Sequence, residues 1–201
     1  MSNVSSSSPN LRRMLDAGLT LFARHGFKRT SMADIAREAG IARATLYLHF
    51  PDKRAVFAAL AASVIDDALA AAETAWDDHA ALADNLAATI LAKDLRFFRL
   101  LRTTPHGAEL FDLDAGLTLA EADRLDRGFS DLLIRRAAAA AAQGADLAAF
   151  GGPAEFAAFL SVTAAGIKYE TRTEDDYRAA IHRLVRVTAA AASKAAMPSA
   201  G

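Results

Sequence analysis

Apolar residues recur every three or four positions along nearly the whole chain, and no run alternates with period two over a useful length. The pattern predicts an all-α fold. Ala, Leu, Arg, Glu and Asp dominate, and five prolines and eleven glycines supply the breaks. The first helix opens at Ser8-Pro9, a capping residue before proline at the first helical position. It carries the stripe Leu11, Leu15, Gly18, Leu19 and Phe22, and Gly26 stops it. Ser31-x-x-Asp34 reads as a capping box for a second helix running through Ile35 and Ala39 to Gly40. A short third helix covers Ala42 to Phe50; Pro51-Asp52 ends it, and Asp52 caps a long fourth helix through Val56, Leu60, Val64 and Leu69 towards Trp76. Further helices are expected near 79–95, 95–103, 106–113, 118–143, 153–171 and 174–193. Their breaks fall at Pro105, Gly116, Gly144 and Gly151-Gly152-Pro153, and Thr173-x-x-Asp176 is another capping box. Residues 1–8 read as a serine-rich disordered tail, and the end after Ala196 as frayed.

Two short helices joined by the tight turn Gly40-Ile41-Ala42 have the form of a helix-turn-helix, one supporting and one presented. Ile35, Ala36, Ala39, Ile41, Leu46 and Phe50 supply the packing face. That leaves Arg43, Ala44, Thr45, Tyr47 and His49 on the outer part of the third helix. An Arg can fork onto guanine, a Thr can meet a thymine methyl, and Tyr, Thr and His can donate to phosphates. Lys53, opening the next helix, is placed to reach the DNA backbone. Tyr47 lies off the apolar stripe and so favours DNA over the core, whereas Phe50 reads as core. His25 reads as a helix-end residue before Gly26.

Charge sharpens this division. The formal net charge is −1, yet residues 1–57 hold nine Arg and Lys against four Asp and Glu, leaving the remainder acidic. A basic head on an acidic body suits a protein that meets a polyanion at one end only. The absence of cysteine excludes disulfides, iron–sulfur clusters and thiolate zinc sites, and fits a cytoplasmic location. His25 and His49 are too isolated for a metal site, and no cofactor is expected. There is no Gly-rich phosphate loop, Gly-x-Ser-x-Gly, His-Glu-x-x-His or cysteine nucleophile. The pairs Asp66-Asp67, Asp77-Asp78 and Asp175-Asp176 are adjacent in sequence and do not share a helix face. No basic start with an apolar run marks a signal peptide, and no apolar stretch is expected to approach the ~20 residues that span a bilayer. The expectation is a soluble chain with no membrane partner.

The run Leu21-Phe22-Ala23-Arg24-His25-Gly26-Phe27, then Thr30-Ser31-Met32-Ala33-Asp34-Ile35-Ala36-Arg37-Glu38-Ala39-Gly40-Ile41, then Thr45-Leu46-Tyr47-Leu48-His49-Phe50-Pro51-Asp52-Lys53 resembles the amino-terminal domain of the TetR family. The resemblance spans about a quarter of the chain. It implies that Arg43, Ala44, Thr45, Tyr47, His49 and Lys53 occupy DNA-touching positions, with Thr30 and Ser31 where the second helix meets phosphate. Ala42 departs from the pattern, because the family usually places a Ser or Thr cap there.

The resemblance implies a three-helix DNA-binding domain at 9–57 and a larger helical domain at 58–196 that binds a small effector and forms a homodimer. Pocket candidates are Trp76, Leu86, Ile90, Phe97, Phe98, Leu101, His106, Phe111, Phe129 and Leu133, with Arg96, Arg99, Arg102, His106 or Glu109 for polar contacts. The alternative for each apolar member is ordinary core. Dimer candidates are Phe156, Phe159, Leu160, Thr163, Tyr177, Ile181, Leu184 and Val185, with burial against the protein's own body as the alternative. The expected function is a repressor released from a palindromic operator in double-stranded DNA by a hydrophobic or aromatic effector. A constitutive or architectural DNA binder and an all-helical enzyme are the competing readings.

Overall fold

The structure, a computed structural model, describes residues 9–106 and 115–193, without the side chains of Leu101, Thr103 and 115–119. The tail at 1–8, the end after Ala196 and nearly all of the helix expected at 106–113 lie outside the described residues. Among those described there are eight α-helices and no strand. They are α1 (Pro9–His25), α2 (Met32–Glu38), α3 (Arg43–His49), α4 (Lys53–Thr74), α5 (Leu82–Thr103), α6 (Ala115–Ala142), α7 (Pro153–Glu170) and α8 (Glu174–Ala191), with a 3-10 turn at Ala148–Phe150. The chain divides into two units, one of residues 1–67 and 99–123, the other of 68–98 and 124–201. The divisions fall inside α4, α5 and α6.

In the first unit the expected stops and caps set the helix ends. Gly26 and Gly40 take φ of 80° and 65°, the left-handed region that a side chain resists. Ser31 accepts from the Asp34 N–H at 3.2 Å, and the Ser31 N–H donates to Asp34 Oδ2 at 3.1 Å, completing the capping box. Hydrogen bonds from Ser31 and then from Arg37 hold the Asp34 carboxyl below its ordinary pKa. Asp52 Oδ1 accepts from the Ala55 N–H at 2.9 Å and opens α4. Helix α1 buries Met14, Leu15, Gly18, Leu21 and Phe22 on one face. A Cβ at Gly18 would sit 3.1 Å from Val56 Cγ1, so glycine lets α4 lie close against α1. Phe22, Phe27 and Phe57 pack edge-on or tilted, with ring centroids 5.3–5.9 Å apart.

Two expectations change. Helix α4 is long and apolar enough, by length and composition, to cross a membrane. Its apolar residues are used in packing instead: Val56, Phe57, Leu60, Val64 and Ile65 are buried in the first unit, Ala68 and Ala72 in the second. The segment expected as two helices at 79–95 and 95–103 is the single helix α5, which contains no Gly or Pro to break it. Gly116, expected as a break, lies in the first turn of α6.

The second unit buries Leu86, Ile90, Phe98, Phe129, Leu133, Phe156, Leu160, Tyr177, Ile181 and Val185 in one cluster. Thr173 caps α8 by accepting from the Asp176 N–H at 3.1 Å. Asn85 closes the α4–α5 turn, accepting from the Asp77 N–H at 2.8 Å and donating to the Asp77 and Ala80 carbonyls at 2.7 and 3.2 Å. At the centre lies a charged group. Asp94 Oδ1 receives the Lys168 ammonium at 2.7 Å and has Lys93 Nζ at 3.2 Å, while Tyr177 OH donates to Oδ2 at 2.6 Å. Burial opposes the charge on Asp94, but Lys93, Lys168 and the hydrogen bonds outweigh it and hold its pKa below the ordinary 3.8. Burial, and then the neighbouring carboxylate, push the Tyr177 phenol upward.

Asp94→Asn keeps the shape and removes the charge, leaving the buried Lys93 and the half-buried Lys168 without their counter-ion. Urea unfolding at pH 7 is expected to show a loss of about 3–5 kcal/mol. A carboxylate with a lowered folded pKa stabilises above its unfolded value and loses that contribution as pH falls through the folded one. The gap between wild type and variant should therefore close below pH 3.8. A gap unchanged between pH 7 and about pH 3 would contradict this account.

Candidate nucleic-acid interface

Helix α3 has seven residues, too few to persist alone, and is held by its packing. Leu46 and Phe50 are buried, and α3 rests on α2, which rests on α1. This orientation exposes Arg43, Ala44, Tyr47 and His49 and half-exposes Thr45, as the spacing predicted. Arg43 Nη2 donates to Tyr47 OH at 3.2 Å, with the guanidinium carbon 5.3 Å from the ring centroid. The i,i+4 pair therefore holds the Arg fork over a half-exposed aromatic face. Ala42 caps α3 with no side-chain hydrogen bond, which leaves the first amide groups of the helix to other acceptors. Leu48 was not among the sequence candidates, yet it is 85% exposed on the same helix. The signal was available: in the stripe formed by Leu46 and Phe50, position 48 points away.

Thr30 and Lys53 are placed differently from the expectation. Thr30 is 3% exposed, and its hydroxyl donates to the Gly26 carbonyl at 2.9 Å. The Lys53 ammonium donates to the carbonyls of Phe27, Lys28 and Thr30 at 2.8, 3.2 and 3.0 Å and lies 4.6 Å from the Phe27 ring centroid. Its three donors are thus directed at the α1–α2 turn. Ser31 stays exposed at the start of α2, although its hydroxyl is bonded to Asp34. Lys28 and Arg29, in the same turn, expose their side chains and supply the cationic surface that Lys53 was expected to supply.

The remaining candidates separate. Leu86, Ile90, Phe98, Phe129 and Leu133 meet in the buried cluster, and Trp76 packs at its edge with the Arg136 guanidinium 4.9 Å from its ring centroid. Phe97 is buried as well. His106 belongs to the first unit, where its N–H donates to the Ala23 carbonyl at 3.1 Å. The side chain of Leu101, and Glu109 and Phe111 entirely, lie outside the described residues. Of the dimer candidates, Phe156, Leu160, Tyr177, Ile181 and Val185 are buried in the chain's own core, Thr163 and Leu184 are half-buried, and only Phe159 is exposed. The exposed apolar positions lie on the opposite faces: Phe159, Val162 and Tyr169 on α7, and Val187 on α8.

Residues 14–60 match the family described as bacterial regulatory proteins, tetR family. An uncharacterized HTH-type transcriptional regulator of Mycobacterium tuberculosis is 34% identical over 94 residues, 47% of this chain and 49% of the relative. The chain spans about half the length of such relatives. The fold is similar to that of the fatty acid degradation regulator FadR from Bacillus halodurans, with TM-score 0.67, 18% identity, and 90% of this chain and 96% of that chain covered. It is also similar to SmeT in the SmeT–triclosan complex, with TM-score 0.66, 22% identity, and 92% and 91% covered.

Lys53→Met keeps most of the aliphatic stem and removes the ammonium that lies over Phe27 and bonds three carbonyls, two of them in part-buried contacts. A loss of about 1–3 kcal/mol in denaturant unfolding, without DNA present, is expected. If the variant unfolds like wild type while the salt slope of DNA binding drops by ~1, Lys53 grips phosphate instead.

Proposed function

Because the chain belongs to the TetR family of bacterial regulatory proteins, we propose that it is a cytoplasmic, sequence-specific repressor released from its operator by a small apolar effector. The observation that carries this reading is α3: a seven-residue helix anchored by Leu46 and Phe50, with Arg43, Ala44, Tyr47, Leu48 and His49 turned outward. Arg43 and Thr45 read base edges; Tyr47, His49 and the Ser31 end of α2 meet the backbone, joined by Lys28 and Arg29. Leu48 offers a methyl-rich surface to a thymine methyl or a sugar. Lys53 and Thr30 act by holding the turn that carries these groups.

One seven-residue helix reads too few base pairs for specificity, so two copies are needed on a palindromic site with half-sites about 34–36 Å apart or slightly more. The dimer face is the exposed stripe Phe159, Val162 and Tyr169, spaced three and seven apart on α7, continued by Val187 on α8. Gly166 lies on the same stripe with open space around it, which permits close approach of a partner helix.

The effector acts on the second unit. Helices α4 and α5 each contain residues of both units, and the chain just beyond α5 bonds α1 through His106 and Ala23. A ligand that favours one arrangement of these helices changes the spacing of the two recognition helices. A tenfold loss of DNA affinity needs ~1.4 kcal/mol of differential binding.

Selection from random DNA with the purified protein should return an inverted repeat, and Arg43→Ala should cost ~1–3 kcal/mol and relax preference at one position in each half-site. Recovery of single asymmetric half-sites, or an Arg43→Ala protein with unaltered preference, would overturn this assignment. For the dimer face, Val162→Glu puts a charge on a residue 74% exposed in the single chain, so the fold is retained. Sedimentation should then report a monomer with at least ~100-fold weaker operator binding. A variant that remains dimeric moves the interface elsewhere.

A further inference from the structure

Thr89 and Lys93 lie four residues apart on α5 and so share a face of that helix. Thr89 is 0% exposed and Lys93 7%. The Thr89 hydroxyl has no hydrogen-bond partner among the described residues. The helical Thr20, Thr74 and Thr188 return their hydroxyls to the carbonyl four residues back. Thr89, like Ser161 on α7, buries its hydroxyl oxygen without such a bond, and an orphaned buried hydroxyl is costly.

The charges around Lys93 are also unbalanced. Lys93 and Lys168 share the one carboxylate of Asp94, whose oxygens already receive Lys168 at 2.7 Å and Tyr177 OH at 2.6 Å. Lys93 Nζ stands 3.2 Å from Asp94 Oδ1 and 4.1 Å from the Phe129 ring centroid. Asp126, the other carboxylate acting on it, is an exposed residue. Two ammoniums, the buried Lys93 and the half-buried Lys168, against one buried carboxylate leave a single positive excess, which the apolar surroundings of Lys93 resist; burial accordingly pushes the Lys93 pKa down.

We infer that Lys93 and Thr89 form the anion-binding end of the effector site, and that the effector is an organic monocarboxylate with an apolar body. The inference rests on the reading that the second unit binds an effector. One carboxylate oxygen takes the Lys93 ammonium and the other the Thr89 hydroxyl, which resolves both deficits at once. Leu86 and Ile90 on the same face of α5, with Phe129 and Leu133 on α6, surround this end with hydrocarbon. A monoanion matches the single excess charge, whereas a phosphate dianion would leave a net negative charge in the core. Of Arg96, Arg99 and Arg102, considered from the sequence as anion partners, Arg99 and Arg102 are exposed residues of the first unit, and Arg96 is a half-buried residue of the second.

The test uses the full-length protein with octanoate, decanoate, 4-phenylbutyrate and 1-naphthoate, each beside its primary amide, by calorimetry and thermal shift. At least one acid should bind about tenfold or more tightly than its amide. Lys93→Met should weaken that acid about tenfold and Thr89→Val severalfold, with the preference for acid over amide falling in step, and denaturant unfolding of the unliganded variants is the check on folding. In wild-type protein labelled at lysine Cε, the acid and not the amide should shift the Lys93 resonance, a readout independent of any variant. The inference is overturned if acids and amides bind alike, if Lys93→Met binds the acid like wild type, or if no acid in the panel binds at millimolar concentration. An acid bound through Lys93 that leaves operator affinity unchanged upholds the anion site and sinks the switch. A neutral ligand that releases DNA does the reverse.

Discussion

The Lys53 ammonium fixes where the exposed helix α3 can stand. By bonding the carbonyls of Phe27, Lys28 and Thr30, it ties the first residue of α4 to the turn between α1 and α2. Only Phe50, Pro51 and Asp52 separate α3 from that lysine, so the end of α3 is fixed with it. A seven-residue helix has too few internal hydrogen bonds to hold a direction. Its direction comes from the buried Leu46 on one side and this tether on the other. The Phe22–Phe27–Phe57 group lies under the same turn, and Lys53 covers the Phe27 ring. Apolar packing and a charge–dipole contact thus hold one point. The exposed residues of α3 inherit their geometry from it.

In the second unit polar groups are placed where an all-apolar core would be easier to build. Asp94 gathers Lys93, Lys168 and Tyr177 from three helices, and Tyr177 also stacks on Phe98 with ring centroids 5.3 Å apart. Such clusters contribute little net stability, because desolvation offsets most of the attraction. What they do provide is direction. Hydrocarbon surfaces slide past one another at small cost, whereas a carboxylate that must meet two ammoniums and a phenol permits one register of α5, α7 and α8. Asp94 lies between one and two turns, and Thr89 nearly three, before the point where α5 passes into the first unit at Arg99.

How far the sequence foretold this depends on the range of each interaction. The Ser31–Asp34 box, the Asp52 cap, the glycine stops at Gly26 and Gly40 and the uncapped Ala42 are contacts within about four residues, and spacing alone reveals those. The partners of Lys53 lie 23 to 26 residues upstream, so position suggested a free charge where the fold makes a tether. Helix α7 is apolar nearly all round, with Phe156, Phe159, Leu160, Val162 and Ile167 spread about its axis. Periodicity cannot say which side of such a helix is interior. Five of the dimer candidates accordingly proved to be core, and Val162 and Tyr169 were passed over. Asp94 reaches partners 74 and 83 residues away, beyond any local pattern.

The same contrast in range accounts for the uneven likeness to other proteins. The family match covers residues 14–60 and the sequence relative covers about half of its own length, while the fold likeness covers nine-tenths of the chain. A helix presented to a major groove must place an Arg fork, a hydroxyl and an aromatic edge at set offsets, which restricts residue types position by position. A helical body has only to exclude water and fill volume, and many apolar combinations do so equally well. The residues that distinguish one body from another are then its exceptions to that rule. In this chain they are the hydroxyl of Thr89, the ammonium of Lys93 and the carboxylate of Asp94, polar groups held where hydrocarbon would have sufficed.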